Sequence, residues 1–220
     1  MSASEPRAET AQEPPRVLTR KTLTYRVVRT SVDLIYRIVF RRRVVGLENL
    51  PRQGPVLLAL NHQSFLDIPF VAGSTTRHVS FVARESLARS KSLAWLMRQC
   101  GAVLIQRGKP DRAALREMVA HLEAGDCVAV FPEGTRSSDG RLQPFRAGAL
   151  LAARLAGAPI VPAAIRGTIE AWPRGARWPR PRRVSLSFGP AVDPNLPDAL
   201  ERVRAGIEER LGDGHFAADR

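Results

Sequence analysis

His62 and Asp67 have the residue types and the spacing of a proton-transfer pair in this 220-residue chain. His62 follows the apolar run 56–60, which is typical of a buried strand, so it stands where α/β folds place their sites. Histidine takes up a proton near neutral pH, and a hydroxyl becomes a good nucleophile as its proton is withdrawn. We therefore interpret His62 as a general base and Asp67 as the carboxylate that holds its other ring nitrogen.

The separation of these two side chains makes a structural prediction. On one continuous helix, five residues span about 500° of rotation, so the two side chains would not share a face. A loop that turns into a helix must therefore bring them together. The segment 64–67 also fits a capping box, in which Ser64 caps a helix and the acid three residues later reaches back. On that alternative, Asp67 is only a helix cap.

Charged residues also follow two other predicted strands. The strand 127–131 leads into a polar loop in which Arg136 could fork onto a phosphate with help from backbone donors. Glu133 could orient a polar group of a substrate or hold Arg136 in place. Arg107 ends another predicted strand and could meet the same phosphate. The alternatives are a surface turn with a charged pair for the loop, and a solvated side chain for Arg107.

The apolar residues alternate between short runs and helical spacing, which is typical of an α/β fold. We predict strands at residues 56–60, 79–83, 102–105, 127–131 and 160–165, and an edge strand at 184–188. Helices are predicted at residues 85–98, 111–123, 145–155 and 196–211. The sequence therefore predicts a single α/β domain at 46–211, with a mostly parallel or mixed central sheet flanked by helices.

Ahead of that domain, we predict a polar, disordered tail at 1–16 and an amphipathic helical region at 17–45. The apolar stripe of this region consists of Val28, Val32, Ile35 and Val39, widened by Leu34 and Ile38. Arginines at the other positions suit lipid phosphates, so the region could lie on a membrane surface. The alternative is an ordinary amphipathic helix packed on the domain. No run of about 18 apolar residues predicts a spanning helix, and residues 212–220 are expected to form a polar tail.

The formal net charge of +13 comes almost wholly from arginine and implies an anionic partner. Nucleic acid, anionic lipid headgroups and phosphorylated substrates all qualify. Because the aromatic fraction is only 6% and no nucleic-acid-binding motif is present, we do not expect nucleic acid to be that partner. Cys100 and Cys127 are far apart and in no metal-ligand spacing, which fits a reducing cytoplasm. The motifs of serine hydrolases, metalloproteases and P-loop enzymes are absent.

Four blocks, in their order along the chain, resemble the 1-acyl-glycerol-3-phosphate acyltransferases and their wider glycerolipid acyltransferase relatives. The blocks are Asn61-His62 with Asp67, the segment Gly101–Arg107, Phe-Pro-Glu-Gly-Thr-Arg-Ser at Phe131–Ser137, and the apolar run Ile160–Ile165 around Pro162. Together they make a specific signal that covers most of the predicted domain.

The resemblance implies transfer of a fatty acyl group from a thioester, acyl-coenzyme A or acyl carrier protein, to the free hydroxyl of 1-acyl-glycerol-3-phosphate, which gives phosphatidic acid. It implies that His62 is the general base and Asp67 its partner. The residues implied near the acceptor are Arg84, Arg107, Glu133, Gly134, Thr135 and Arg136. It implies no metal and no cofactor beyond the thioester co-substrate.

The partners that the resemblance implies are the acyl-thioester donor, a lysophospholipid acceptor and an anionic membrane surface. The implied location is the cytoplasmic face of the cell membrane, as a peripheral or monotopic protein. Gln106 departs from the family pattern, because relatives often carry an acid before the arginine of the second block. Another lysolipid, a lipidated amino acid or a glycolipid therefore remain alternative acceptors. A basic nucleic-acid-binding protein is the alternative from a different class.

Overall fold

The computed structural model describes residues 23–84, 95, 103–105 and 111–212. The strands are β1 (Arg43–Val45), β2 (Val56–Leu60), β3 (Val79–Arg84), β4 (Val103–Ile105), β5 (Cys127–Val130), β6 (Ile160–Arg166) and β7 (Ser185–Phe188). The helices are α1 (Leu23–Ile38), α2 (Asp67–Ser74), α3 (Asp111–Glu123), α4 (Gly148–Leu155), α5 (Thr168–Ala171) and α6 (Ala199–Gly212), with a short 3-10 helix at Leu47–Asn49. The residues outside the described ones include the predicted tail 1–16, residues 17–22 and residues 213–220. Arg107 and every residue of the predicted helix 85–98 other than Trp95 also lie outside them.

The described strands form one sheet in the order β1-β7-β6-β2-β5-β3-β4. Every neighbouring pair is parallel except β6 and β7, which are antiparallel. A mixed, mostly parallel sheet between helices confirms the predicted α/β fold class. Because β2, β5 and β3 run in the same direction side by side, the loops that follow them emerge at one edge of the sheet.

The prediction that 184–188 is an edge strand was wrong. β7 lies between β6 and β1, and β1 pairs with it in parallel from Arg43 to Val45. The serines that suggested an exposed face, Ser185 and Ser187, are buried. β1 has only three residues and begins with an arginine, so its apolar content is too small to predict a strand.

The central strand β2 is buried on both sides, which is typical of a parallel sheet covered by helices. Its alternate residues Val56, Leu58 and Leu60 pack with α1 and α2, whereas Leu57 and Ala59 pack with α3, α4 and α6. The strand therefore has a fixed direction and register, and the residue that follows it is held in a defined place.

The helix α3 has the predicted bounds, whereas α4 and α6 begin three residues later than predicted. Before α4, the backbone N–H of Arg146 donates to the carbonyl of Pro132, so this segment pairs with the loop after β5. Before α6, the N–H of Leu196 donates to the carbonyl of Asp193, in a turn that precedes Pro197. Tertiary pairing and turn formation thus shorten both helices.

The helix α1 packs on α2 with one face and exposes the opposite one. Its most exposed apolar side chains are Leu23, Val27, Leu34 and Ile38, with 74%, 58%, 55% and 69% of their surface accessible. Val32, assigned to the exposed stripe from the sequence, instead packs against the core beside Gly73. The outward stripe is thus rotated relative to the predicted one. Among the described helices, none has the length and apolar character needed to span a membrane.

Candidate active site

Asn61 fixes the end of β2 just before His62. Its side-chain Nδ2 donates to the carbonyl of Ile165 at 2.9 Å, and the N–H of Ile165 donates to its Oδ1 at 2.7 Å. The buried side-chain amide thereby imitates one more peptide of the β2–β6 ladder. The backbone that carries His62 consequently leaves the sheet at a defined point. From the sequence, Asn61 belongs to a family block but has no predicted role.

His62 and Asp67 come together at the turn between β2 and α2. The Nδ1 atom of His62 lies 2.8 Å from Oδ2 of Asp67, and Asp67 is the first residue of α2. The predicted loop-to-helix transition is therefore confirmed. When Asp67 accepts the proton on Nδ1, Nε2 is left with a lone pair that can accept a proton from another molecule. The ring keeps 17% of its side-chain surface accessible.

The carboxylate of Asp67 is fully buried and also organises the turn. Its Oδ2 accepts hydrogen bonds from the N–H of Gln63 at 2.7 Å and of Ser64 at 2.8 Å. The acid therefore reaches back to the N–H of Ser64, which is half of a capping box, while the same oxygen holds the imidazole. Its other oxygen, Oδ1, has no hydrogen-bond partner among the described residues. The capping-box alternative is met only in part, because α2 begins at Asp67 with Leu66 at the N-cap position. The hydroxyl of Ser64 accepts the N–H of Leu66 at 3.4 Å and not that of Asp67.

The loop after β5 holds the peptide groups of His62 on both sides. Glu133 accepts the N–H of His62 at 2.7 Å through Oε1, and the N–H of Ser137 donates to the carbonyl of His62 at 2.8 Å. The second oxygen of Glu133 accepts the N–H of Gln143 at 2.9 Å. Glu133 thus fixes the position of His62, a role that the sequence analysis did not assign. Its contact with an acceptor stays a prediction.

Burial raises the pKa of the Glu133 carboxyl above its ordinary value. The hydrogen bonds from the backbone of Gln143 and His62 oppose that shift, because they stabilise the ionised form. The carboxylate can accept both N–H groups at full strength only when it is ionised. As pH falls, the positioning of His62 therefore weakens at a higher pH than an ordinary glutamate would allow.

The ring of His62 stacks on Phe131, with the centroids 4.0 Å apart and the planes 17° from parallel. Phe131 in turn stacks on Phe81 at 6.5 Å. An aromatic face beside the imidazole excludes water from one side of the ring and restricts its rotation. Together with Asp67, this packing leaves the imidazole little freedom to reorient.

Arg136 lies beside the same turn, above the ring of Phe65 at 3.7 Å. Phe65 is half exposed and contacts Trp172 at 6.1 Å between centroids. Burial and the nearby charge of Arg174 lower the pKa of Arg136, and the charge of Asp67 opposes them. The guanidinium of Arg174 therefore lies close enough to Arg136 for their like charges to repel. Arg174 was not predicted as a site residue, and the only signal for it in the sequence is the arginine-rich segment around it.

The remaining predicted residues lie at the same edge of the sheet or outside the described residues. Gly134 and Thr135 are exposed on the loop between Glu133 and Arg136. Arg84 is the last residue of β3, which pairs with β5, so its backbone lies at the edge where His62 emerges. Arg107 is outside the described residues, and its position stays a prediction. Within the described part of the chain, no group of three or more His, Cys, Asp or Glu side chains is arranged to hold a metal ion.

A model of the acyltransferase family matches residues 41–166, which is more than half of the chain. The chain belongs to the acyltransferase family. The matched region of this acyltransferase-family chain includes His62, Asp67 and the whole loop from Phe131 to Ser137. The resemblance inferred from the four blocks is thereby confirmed at the level of the family.

Two relatives of this family member are named for the same activity. A 1-acyl-sn-glycerol-3-phosphate acyltransferase of Pseudomonas aeruginosa is 30% identical over 183 residues, which are 79% of this chain and 70% of that protein. The chloroplastic 1-acyl-sn-glycerol-3-phosphate acyltransferase BAT2 of Brassica napus is 36% identical over 140 residues, or 62% of this chain and 40% of that protein. The chain thus covers well under two thirds of the plant relative.

The fold is similar to that of a solved family member. The crystal structure of the 1-acyl-sn-glycerophosphate (LPA) acyltransferase PlsC from Thermotoga maritima superposes with a TM-score of 0.70 and 31% sequence identity. The match covers 86% of this chain and 82% of that one.

Proposed function

We propose that this acyltransferase-family chain moves a fatty acyl group from an acyl thioester to the free hydroxyl of 1-acyl-glycerol-3-phosphate, which gives phosphatidic acid. The observation that carries the proposal is the 2.8 Å contact between Nδ1 of His62 and the buried carboxylate of Asp67, at a strand end beside Arg136. The names of the relatives support this acceptor.

The proposed reaction uses His62 as the base. Nε2 takes the proton of the acceptor hydroxyl while the hydroxyl oxygen attacks the thioester carbonyl carbon. The resulting imidazolium is stabilised by Asp67, whose buried carboxylate would otherwise lack a countercharge. As the tetrahedral intermediate collapses, the carbon–sulfur bond breaks and the thiolate takes the proton from His62. The products are the new ester and the free thiol, and His62 returns to its neutral form.

We propose that the phosphate of the acceptor binds near Arg136 and Arg174, with Arg84, Arg107 and the Gly134–Thr135 loop completing the site. A guanidinium group suits phosphate because it presents parallel N–H donors in a planar fork. The stacking of Arg136 on Phe65 supports this assignment, since it fixes the guanidinium beside the His62–Asp67 turn.

The proposed donor is acyl-coenzyme A or acyl carrier protein, with no further cofactor. A soluble thioester and a lipid acceptor meet only at a bilayer surface, so we propose that the protein acts as a peripheral or monotopic protein at the cytoplasmic face of the cell membrane. The exposed stripe of α1 and the net charge of +13 support an anionic membrane as its partner.

Product analysis tests the acceptor. The purified chain is offered one acyl-thioester donor with a panel of 1-acyl-glycerol-3-phosphate, other lysophospholipids, a lipidated amino acid and a lysoglycolipid, and the products are identified by mass spectrometry. We expect phosphatidic acid to form fastest. Faster acylation of a different acceptor would replace the proposed substrate but keep the reaction. Salt-sensitive binding to nucleic acid with no acylated product from any acceptor would overturn the reaction itself.

Cosedimentation tests the membrane surface. Leu34→Gln/Ile38→Gln is expected to weaken binding to vesicles at least about tenfold, because full burial of one such side chain is worth about 1.5 to 3 kcal/mol. The matched control is Leu151→Gln/Leu155→Gln on α4, which changes two exposed side chains at the same spacing. Equal effects of the two double substitutions would contradict the assignment of α1.

A further inference from the structure

A cleft of about 640 Å³ lies beside α1, at the opposite end of α2 from the His62–Asp67 turn. Its walls come from α1, from β1 with the 3-10 helix that follows, and from the C-terminal end of α2. The residues that carry its charge are Arg29, Arg37, Arg42 and Asp33. Asp67 and Ser74, the two ends of α2, are about 10 Å apart along the helix axis, so the cleft is separate from the candidate active site.

The charges in this cleft are not balanced. Asp33 is shared by Arg37, whose Nε lies 2.9 Å from Oδ2, and by Arg42, which contacts Oδ1. Arg29 donates instead to the carbonyl of Thr75 at the end of α2. Three guanidinium groups therefore face one carboxylate, which leaves an excess of two positive charges.

The three arginines also retain donors for a ligand. A guanidinium has five N–H groups, and the contacts that each of the three makes with the described residues occupy a small part of them. Burial lowers the pKa of Arg42, and the neighbouring charges of Arg37 and Arg29 lower it further, while Asp33 opposes both. Like charges held in one cleft repel, so an anion placed between them would be bound favourably.

The position of the cleft on α1 indicates an amphiphilic anion. Arg37 lies three residues from Leu34, and Thr30, which also lines the cleft, lies between Val27 and Leu34 on the helix surface. The cleft therefore opens directly beside the exposed apolar stripe of α1. A molecule with its phosphate between the arginines could lay an acyl chain along that stripe.

We propose that this cleft binds the phosphate headgroup of an anionic phospholipid of the membrane. It serves as a docking site separate from the site of acyl transfer. The inference rests on the membrane-surface part of the proposed function and not on the reaction. Bulk charge attracts the protein to an anionic bilayer, and the cleft fixes the rotation of α1 about its axis on that surface.

The test compares Arg37→Gln with the matched control Arg26→Gln in the full chain. Both residues are exposed arginines of α1, and only Arg37 lines the cleft. Binding is measured to vesicles of phosphatidylcholine mixed with phosphatidylglycerol, and to vesicles of equal surface charge whose anionic lipid is a fatty acid carboxylate. Loss of one basic residue near an anionic surface costs about 1 kcal/mol, or roughly fivefold in binding, whatever the site.

We expect Arg26→Gln to weaken binding to the two kinds of vesicle equally. Arg37→Gln should weaken binding to phosphatidylglycerol vesicles by a further factor of roughly five, for one lost charge-assisted phosphate contact. Equal losses for the two variants on both vesicles would overturn the proposal, because diffuse charge would then explain all binding. Calorimetric titration with inorganic phosphate gives a second arm, in which Arg37-dependent binding as tight as that to vesicles would also overturn the lipid assignment.

The charge-neutral pair Thr30→Trp and Ser31→Trp provides an independent check. Both substitutions add the same aromatic ring to the exposed side of α1, and only that at Thr30 enters the cleft. We expect weaker binding to phosphatidylglycerol vesicles for Thr30→Trp than for Ser31→Trp, and the reverse order would count against the cleft. None of these binding measurements needs an acyl donor or turnover. Failure of this proposal can therefore be distinguished from failure of the proposed reaction.

Discussion

The Nδ1 atom of His121 lies 2.8 Å from Oδ2 of Asp126, which repeats the spacing and the contact of His62 and Asp67. This second pair lies at the opposite edge of the sheet, because Asp126 precedes β5 and its carbonyl accepts the N–H of Val56 at the start of β2. A histidine and an aspartate five residues apart therefore pair at two places among the described residues, so the pairing alone does not identify a site. What distinguishes His62 is its place at a strand end, held by the loop after β5.

Substitution of Asp67 tests whether its carboxylate has more than a capping role. Asp67→Asn keeps the shape of the side chain but no longer fixes the proton on Nδ1 or stabilises an imidazolium, so we expect kcat to fall by about 10²-fold or more. Asp126→Asn makes the same change in the other pair and should leave kcat within about twofold. Steady-state acyl transfer by both variants gives the comparison, and equal kcat values would reduce Asp67 to a cap.

Glu133 should make the rate of acyl transfer fall as the pH is lowered. Because burial raises the pKa of Glu133, its carboxylate takes up a proton at a higher pH than an ordinary glutamate does. Once it is protonated, its hydrogen bond with the N–H of His62 is weaker. Glu133→Gln cannot offer two acceptor oxygens, so we expect kcat to fall roughly tenfold, with a smaller further loss on acidification. The exposed Glu123→Gln is the control for the lost charge. A pH–rate profile of Glu133→Gln that matches the wild type would contradict this role.

Tyr36 connects α1 to the turn that carries Asp67. Its hydroxyl donates to the carbonyl of Leu66 at 2.8 Å, and its ring stacks on Phe70 at 5.0 Å between centroids. Tyr36→Phe removes one of the two donors to that carbonyl, which still accepts the N–H of Phe70, so we expect a loss of about 0.5 to 1.5 kcal/mol of stability. Because this carbonyl belongs to the residue before Asp67, we expect kcat to fall several-fold while KM for the donor is unchanged.

Tyr25→Phe is the matched control for that change, since Tyr25 is equally buried on α1 but contacts His78 instead. A purely structural role for Tyr36 would lower the melting temperature and leave kcat at low temperature unaltered. That result would remove the link between α1 and the catalytic turn.

Gly134 is held with a positive φ of +67°, and an added Cβ would lie 2.9 Å from Nε of Arg146. Gly134→Ala should therefore lose about 1 to 2 kcal/mol of stability through its backbone and also displace the Arg146 side chain next to the Glu133 loop. Gly125→Ala, at φ +84° with nothing within 4 Å, carries the backbone cost alone. We expect similar unfolding free energies for the two variants and reduced kcat only in Gly134→Ala. Full activity in both would show that the loop tolerates the displacement.

Local sequence patterns predicted the parts of the structure that depend on neighbouring residues. The apolar runs located β2 and β5, and parallel pairing of these strands is sufficient to bring His62 and the loop after Phe131 to the same edge. The spacing of apolar residues in α3 gave its bounds, because Gly125 and the following strand end that helix clearly.

The contacts that hold the site could not be predicted in this way. Asn61 pairs with Ile165 across 104 positions, and Glu133 reaches the backbone of His62 across 71. No local propensity encodes such pairings, since they arise only once the sheet has brought the strand ends together. The outward face of α1 was also predicted wrongly. Apolar residues on two sides of this helix fit a helical stripe, and only packing on α2 decides which side is outward.

The rate of ester formation by His62→Ala, compared with the rate of His121→Ala, is the most direct test that His62 is the general base. Both variants lose an imidazole paired with an aspartate at 2.8 Å, so the lost contact is matched, and unfolding of each variant is measured beside its rate. With one thioester donor and 1-acyl-glycerol-3-phosphate, we predict that His62→Ala loses about 10²-fold or more of the wild-type rate, while His121→Ala retains it. Wild-type rates from folded His62→Ala would show that His62 is not the general base.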